Sequence, residues 1–254
     1  MFRRIYFVLL FCMGIFSTGF SNENFRKNEP EYILLTIPKS GSHLLGKLLK
    51  MFGEIGKHTP KRVGGHLYQP GSPLGMYPHV KHYYKDLKKL ILIRDPRDCA
   101  ISAVFWWTKY HSNHKKWNSL TLDQKITNVI QESMAPPFQF ISDNFRMLEV
   151  YLNAGPECCI VRFENLIGVH GGSTLEKQQA EIYKIADFFD IEITPIEMDF
   201  ITENLYGLRQ VDNTGVQTFR KGTIGQWKQY FKPKHEQLFN QKFYPLLEKW
   251  GYLD

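Results

Sequence analysis

The sequence predicts an α/β fold, a parallel β-sheet flanked by helices on both faces, and three observations carry that expectation. Short apolar runs at 32–37, 90–93 and 158–163 are of the kind seen in fully buried parallel strands. Segments with helical spacing separate them, and strands alternating with helices build parallel sheets with helices on both sides. The first run ends directly in the turn Pro38-Lys39-Ser40-Gly41-Ser42, at the carboxyl end of a strand, where such sheets bind ligands.

Each element has a local reason. Tyr32–Ile37 (YILLTI) is apolar and partly β-branched. Residues 42–52 follow as a helix with Leu44, Leu45, Leu48, Leu49 and Phe52 on one face. The Gly- and Pro-rich stretch 56–80 reads as loop. Leu90–Ile93 is the second strand, and Asp95-Pro96 starts a helix to about Tyr110, with a capping carboxylate and a proline at the first helical position. Helical spacing recurs at 121–134 and 138–153, followed by the third strand at 158–163. Ser173-Thr174-Leu175-Glu176 has the form of a capping box before a helix whose Ile182, Ile185, Ala186 and Phe189 share a face. Further helices are expected at 196–205 and 234–249.

The 254 residues suffice for one sizeable domain. Hydrophobic content of 43% with 22% charged residues is that of a soluble globular chain. A net charge of +7 suits an anionic ligand, a nucleic acid or an acidic lipid without selecting among them, and no nucleic-acid-binding motif accompanies it. The four cysteines form no disulfide framework: Cys12 lies in the N-terminal apolar run, Cys158 and Cys159 are adjacent, and only Cys99 remains. No Cys/His cluster of zinc spacing appears, so no metal is expected.

Met1-Phe2-Arg3-Arg4 is basic, Ile5–Phe16 is apolar, and Ser17–Ser21 supplies small residues. Residues 1–21 are therefore expected to be a signal peptide or a short membrane anchor acting through residues 5–20, with an N-terminal helix of the domain as the third reading. Residues 22–30 read as a polar linker and 31–254 as the domain. A leader would place the protein in the secretory pathway or on a membrane; without one it is cytoplasmic.

The turn at 38–42 carries the chemistry. A helix N-terminus offers unpaired amides and the positive end of its dipole, so it binds phosphate. The amides of Ser40, Gly41, Ser42 and His43 are expected to face one anion, with Gly41 allowing close approach and Lys39 adding positive charge. Gly41, Gly46 and Lys47 also have the spacing of an NTPase phosphate loop. However, Leu48 stands where the magnesium-binding hydroxyl belongs, and Lys47 lies a turn inside the helix. Arg94, at the end of the second strand, can fork onto a phosphate, or Arg94 and Arg97 can pair with Asp95 or Asp98. Near the C-terminus Phe219-Arg220-Lys221-Gly222-Thr223-Ile224-Gly225-Gln226-Trp227 reads as a flexible basic loop, either a second phosphate contact or a solvated turn. Phe105, Trp106, Trp107 and Tyr110 are core packing or the lining of an acceptor pocket.

Taken together, PKSGS, RDPRDCAIS, VRFENL (161–166) and FRKG-x-x-G-x-W resemble, in order, the motifs of sulfotransferases that use 3′-phosphoadenosine 5′-phosphosulfate (PAPS). The resemblance spans residues 33–230. It implies a P-loop-NTPase-like three-layer sandwich and transfer of a sulfuryl group from PAPS to a hydroxyl or amine, without a metal. It further implies that Lys39, Ser40, Gly41, Ser42 and His43 hold the 5′-phosphosulfate, with Lys39 at the leaving oxygen. Arg94 and Ser102 would hold the 3′-phosphate, Arg220, Lys221 and Gly222 would close from the other side, and Phe163 would lie against the adenine.

Members of that family use a histidine between the first two motifs as base. His58, His66, His79 and His82 are the candidates, and Gly64-Gly65-His66-Leu67 resembles the family's stretch, which favours His66. The implied partner is a small-molecule or glycan acceptor and not a nucleic acid. Gly64 stands where many members have lysine, and Leu44 where many have tryptophan. A catalytically inactive nucleotide-binding relative is therefore one alternative, and a P-loop kinase or NTPase is the other.

Overall fold

In a computed structural model, the structure describes residues 31–66, 86–110, 114–133, 145, 148, 149, 155–207 and 221–253, with the backbone only at 63–66. The strands are β1 (Tyr32–Thr36), β2 (Arg62–His66), β3 (Lys88–Ile93) and β4 (Cys158–Arg162). They form a parallel sheet of order β2-β1-β3-β4.

The helices, in chain order, are α1 (Ser42–Glu54), α2 (Pro96–Tyr110), α3 (Lys115–Asn118), α4 (Leu122–Gln131), α5 (Phe163–Leu166), α6 (Leu175–Phe188), α7 (Pro195–Leu205), α8 (Trp227–Tyr230) and α9 (Pro233–Lys249). The helix expected at 138–153 lies almost wholly outside the described residues, as do the N-terminal leader, the linker at 22–30, and His79 and His82.

The period-two alternation of strand side chains divides the core in two. Ile33 and Leu35 of β1 and Ile91 and Ile93 of β3 face one layer, made by Ala100, Ile101 and Val104 of α2, Ile126 and Ile130 of α4, and Phe239, Phe243 and Leu247 of α9. Tyr32, Leu34, Leu90 and Leu92 face the other, made by Leu45, Leu48 and Phe52 of α1, Ile182 and Ile185 of α6, and Ile201 and Leu205 of α7. Both faces of the sheet are thus covered, and the expected three-layer α/β sandwich is what forms.

Two expectations are corrected. The stretch 56–80 is not loop throughout: β2 occupies 62–66 and pairs along β1, Tyr32 with Arg62 through Thr36 with His66. Its Gly64-Gly65 has no strand propensity of its own, so the pairing comes from the neighbouring strand. The capping box at 173–176 does not form as written. Thr174 is the cap and accepts from the Lys177 amide, and lysine at that position cannot return a bond as an acceptor would. Thr121 with Gln124 and Thr194 with Glu197 do form reciprocal boxes.

Candidate active site

The carboxyl end of β1 turns into α1 through Lys39 and Gly41, both with left-handed backbone, φ 72 and φ 102. At Gly41 glycine is required twice over. Its φ disfavours any side chain, and a Cβ there would lie 2.4 Å from the ring of Phe163. Gly41 caps α1, and its carbonyl accepts from the Leu44 and Leu45 amides. Ser42 and His43 are the first two residues of α1, at the positive end of its dipole.

Ser40 departs from expectation. It is fully buried, its amide donates to the Ile37 carbonyl at 3.1 Å and its hydroxyl donates to the same carbonyl at 2.7 Å. The turn that aims Gly41 and Ser42 consumes the polar groups of Ser40, so the serine shapes the loop rather than lining it. Lys47 donates to the carbonyls of Tyr206 and Gly207, a clamp between α1 and the end of α7, away from the helix start. The NTPase spacing therefore has no lysine at the loop.

Arg94 follows β3 and is 6% exposed. Its guanidinium donates to the Lys39 carbonyl at 3.3 Å and the Thr223 carbonyl at 3.0 Å, and it lies 4.1 Å from the centre of the Phe163 ring. One side chain thus joins the first motif, the second and the last. The alternative pairings are also realised. Arg97 grips Asp95 with bonds of 2.8–3.2 Å, while Arg94 approaches Asp98 only to 3.6 Å. Arg97 is accordingly a structural residue; it also donates to the Tyr252 carbonyl and stacks on Trp227.

Phe163 is the first residue of α5 and is 3% exposed. Its ring supports Arg94 and abuts Gly41, so it is a floor beneath the site rather than a surface open to adenine. Ser102 is half-buried on α2. Lys221 is exposed, and Gly222 (φ 56) and Gly225 (φ 68) give the last loop its bends. The Tyr206 hydroxyl donates to the Lys221 carbonyl at 2.8 Å. Arg220 lies outside the described residues.

The Lys39 ammonium stands 5.0 Å over the ring of Trp106. Burial lowers its pKa to about 8, with the like charge of Arg94 acting in the same direction. Trp106 belongs to the aromatic group of α2, where Tyr110 lies 5.6 Å away from it.

The histidines separate by position. His58 pairs with Glu31 at 2.7 Å, and both precede their strands, at the end of the sheet opposite the site. His66 is the last residue of β2, in register with Thr36, and so stands at the carboxyl end beside the turn that holds Lys39.

Two acids, the buried Asp98 and the half-buried Glu164, escaped the sequence reading as site builders. Asp98 accepts from the amides of Gly225 and Trp227, each at 2.9 Å, and so fixes the last motif against α2. Glu164 accepts from the Asp95 amide at 2.7 Å and from the Tyr252 hydroxyl at 3.2 Å, tying the end of β3 to α5. Burial raises the pKa of both carboxyls. Among the described residues no cluster of His, Cys, Asp or Glu could hold a metal ion, and Cys99, Cys158 and Cys159 are free.

Comparison with known proteins agrees with this arrangement. The family model described as "Sulfotransferase domain" matches residues 66–251, well over half the chain. Mouse sulfotransferase 2A6 is 22% identical, with 87% of this chain and 86% of that protein covered. Cytosolic sulfotransferase 8 of Arabidopsis thaliana is 25% identical over 85% and 76%. The guinea pig (Cavia porcellus) 3-alpha-hydroxysteroid sulfotransferase is 23% identical over 86% and 84%. Among solved structures, mouse sulfotransferase SULT7A1, crystallised with PAP, superposes with a TM-score of 0.62 at 19% identity, covering 87% of each chain. Retinol dehydratase with androsterone and PAP gives 0.59 at 14% identity, covering 85% of this chain and 80% of that one. The chain therefore belongs to the sulfotransferase-domain family, and it is an enzyme of sulfuryl transfer.

Proposed function

We propose that this protein transfers the sulfuryl group of PAPS in line to a hydroxyl or amine of a small-molecule or glycan acceptor, with His66 as general base and Lys39 stabilising the leaving phosphate. The observation that carries the reading is Arg94, whose bonds to the carbonyls of Lys39 and Thr223 bring the first and last motifs onto one site. The residues fit the co-substrate. The Arg94 Nε is buried without a hydrogen-bond partner among the described residues, a charged donor in search of an acceptor. The Gly41 backbone can be approached where a side chain could not be placed.

PAPS, when bound, supplies the activated sulfuryl group. The protein's part is positioning and electrostatics, because charge grows on the leaving oxygen in a loose transition state, by analogy with phosphoryl transfer. Gly41, Ser42 and His43 present the start of α1 to the 5′ end, assisted by the Lys39 charge. Arg94 and Ser102, with Arg220, Lys221 and Gly222 of the last loop, receive the 3′-phosphate. Two carbonyls take the direct hydrogen bonds of Arg94, and Asp98 stands off at 3.6 Å with its oxygens directed to the Gly225 and Trp227 amides, which leaves the guanidinium a donor for an anion. His66, as a neutral imidazole, takes the acceptor's proton. The aromatic group around Trp106 lines the acceptor side.

The N-terminal reading belongs to the same proposal. Residues 1–21 act as a leader or membrane anchor, 22–30 as a linker and 31–254 as the catalytic unit, which places the enzyme where PAPS is delivered to a secretory compartment. Among the described residues no helix is long and apolar enough to cross a membrane. N-terminal sequencing of the mature protein tests cleavage, and a mature chain beginning at Met1 without membrane association would overturn the leader.

Incubation with ³⁵S-labelled PAPS and a panel of phenols, steroids, amines and sugars tests the activity. Transfer to at least one acceptor class is expected, falling by about 10²- to 10⁴-fold in His66→Ala with PAP binding retained. Equal transfer by wild type and His66→Ala would overturn the base assignment.

A further inference from the structure

The Lys39 ammonium has an unusual setting for a half-buried cation. It sits on the left-handed backbone of the β1–α1 turn, and among the described residues no carboxylate forms an ion pair with it; its recorded contact is the face of Trp106 at 5.0 Å. A lysine serving a polyanion faces conflicting demands. It must be held in place and kept protonated against burial, yet a carboxylate doing both would repel the incoming anion. An aromatic face meets them together, because its quadrupole favours the ammonium while adding no net negative charge.

We propose that Trp106 is a positioning residue that holds Lys39 at the mouth of α1 and keeps its amine charged for the leaving phosphate. This rests on the reading of Lys39 as the donor-facing lysine and adds to it the group that makes the lysine serviceable. Burial lowers the Lys39 pKa to about 8, close enough to neutrality for a small loss of cation stabilisation to empty the charged state. The other groups around the ammonium cannot substitute for the indole. Arg94, just past β3, opposes the charge. Cys99 on α2 is a buried thiol whose pKa is pushed far up, so it is neutral. Asp98 is directed to the amides of Gly225 and Trp227.

The experiment is calorimetric titration of the full chain with PAP from pH 7 to 9.5, above the second ionisation of its phosphates near 6. Wild type, Trp106→Leu, Trp106→Phe and Lys39→Met are compared, with Trp106→Met replacing the leucine variant if that one does not fold. Wild-type affinity should fall with a midpoint near 8, and Lys39→Met should lose the midpoint. Trp106→Leu should move it down by about half to one pH unit, making binding several-fold weaker at pH 8, while Trp106→Phe returns most of the shift. A midpoint unchanged in the folded aliphatic variant, Trp106→Leu or its replacement Trp106→Met, overturns the inference while leaving the lysine's role intact. Wild-type binding at no pH, or a midpoint that persists in Lys39→Met, would instead remove the reading of Lys39 on which it rests.

Discussion

The guanidinium of Arg94 donates to the carbonyl of Thr223 across 3.0 Å, although 129 residues separate the two in the chain. With its bond to the Lys39 carbonyl, this makes the arginine after β3 a strut between the phosphate turn and the C-terminal loop. Asp98 secures the same loop from below through the Gly225 and Trp227 amides.

Asp98→Ala should therefore destabilise the fold by about 2–4 kcal/mol, since it strands two buried amides and removes the nearby countercharge of Arg94. Asp98→Asn keeps one acceptor and should cost about half as much. Urea denaturation checks both, and equal stability of Asp98→Ala and wild type would show that the loop does not depend on the carboxylate.

Gly41→Ala should cost about 2 kcal/mol or more from the combination of φ 102 and a Cβ 2.4 Å from the Phe163 ring. If the steric part is real, Phe163→Leu should partly rescue it. A double-mutant cycle measures this, with a coupling of at least 0.5 kcal/mol expected between Gly41→Ala and Phe163→Leu.

Lys39→Met should abolish sulfuryl transfer yet stabilise the apo protein. The folded-state pKa of Lys39 is lowered from 10.5 to about 8, so between those values the unfolded chain binds more protons and wild-type stability rises with pH. The penalty of the buried charge is present below about 8 and relieved as pH approaches 10.5. The variant's advantage, about 1 kcal/mol after allowing for partial exposure, should thus be larger at pH 7 than at pH 9.5 in guanidinium unfolding.

Removal of the last residues should loosen the site from behind. The Tyr252 carbonyl accepts from Arg97, the Trp250 carbonyl from Arg162, and the Tyr252 hydroxyl donates to Glu164. A chain ending at Lys249 leaves the buried guanidinium of Arg97 and the half-buried one of Arg162 each short of an acceptor and empties the pocket of Trp250, 1% exposed. A fall in melting temperature of about 5 °C or more is expected in a thermal scan.

Much of this was legible in the sequence wherever the cause is local. The run into PKSGS announces a strand, a turn and a helix start within a few residues, and Asp95-Pro96 marks the start of α2. Where the cause is distant the sequence is silent. Gly64-Gly65 joins the sheet only because β1 lies beside it. Ser40 looks like a ligand until the turn claims its amide and hydroxyl. Phe163 has the composition of an adenine shelf, yet Gly41 and Arg94 cover it. Asp98 reads as an ordinary first-turn acid, because the amides it serves lie 127 and 129 residues away.

On the proposed reading, the turn at Lys39–His43 and the loop at 221–223, joined through Arg94, form a single site for PAPS. Calorimetric titration with PAP at pH 7 tests it most directly. Wild type should bind one equivalent, Arg94→Ala should weaken binding by about tenfold or more, and Arg94→Lys should restore only part of it. Identical affinity in wild type and a folded Arg94→Ala would mean that the two segments do not share one PAPS site.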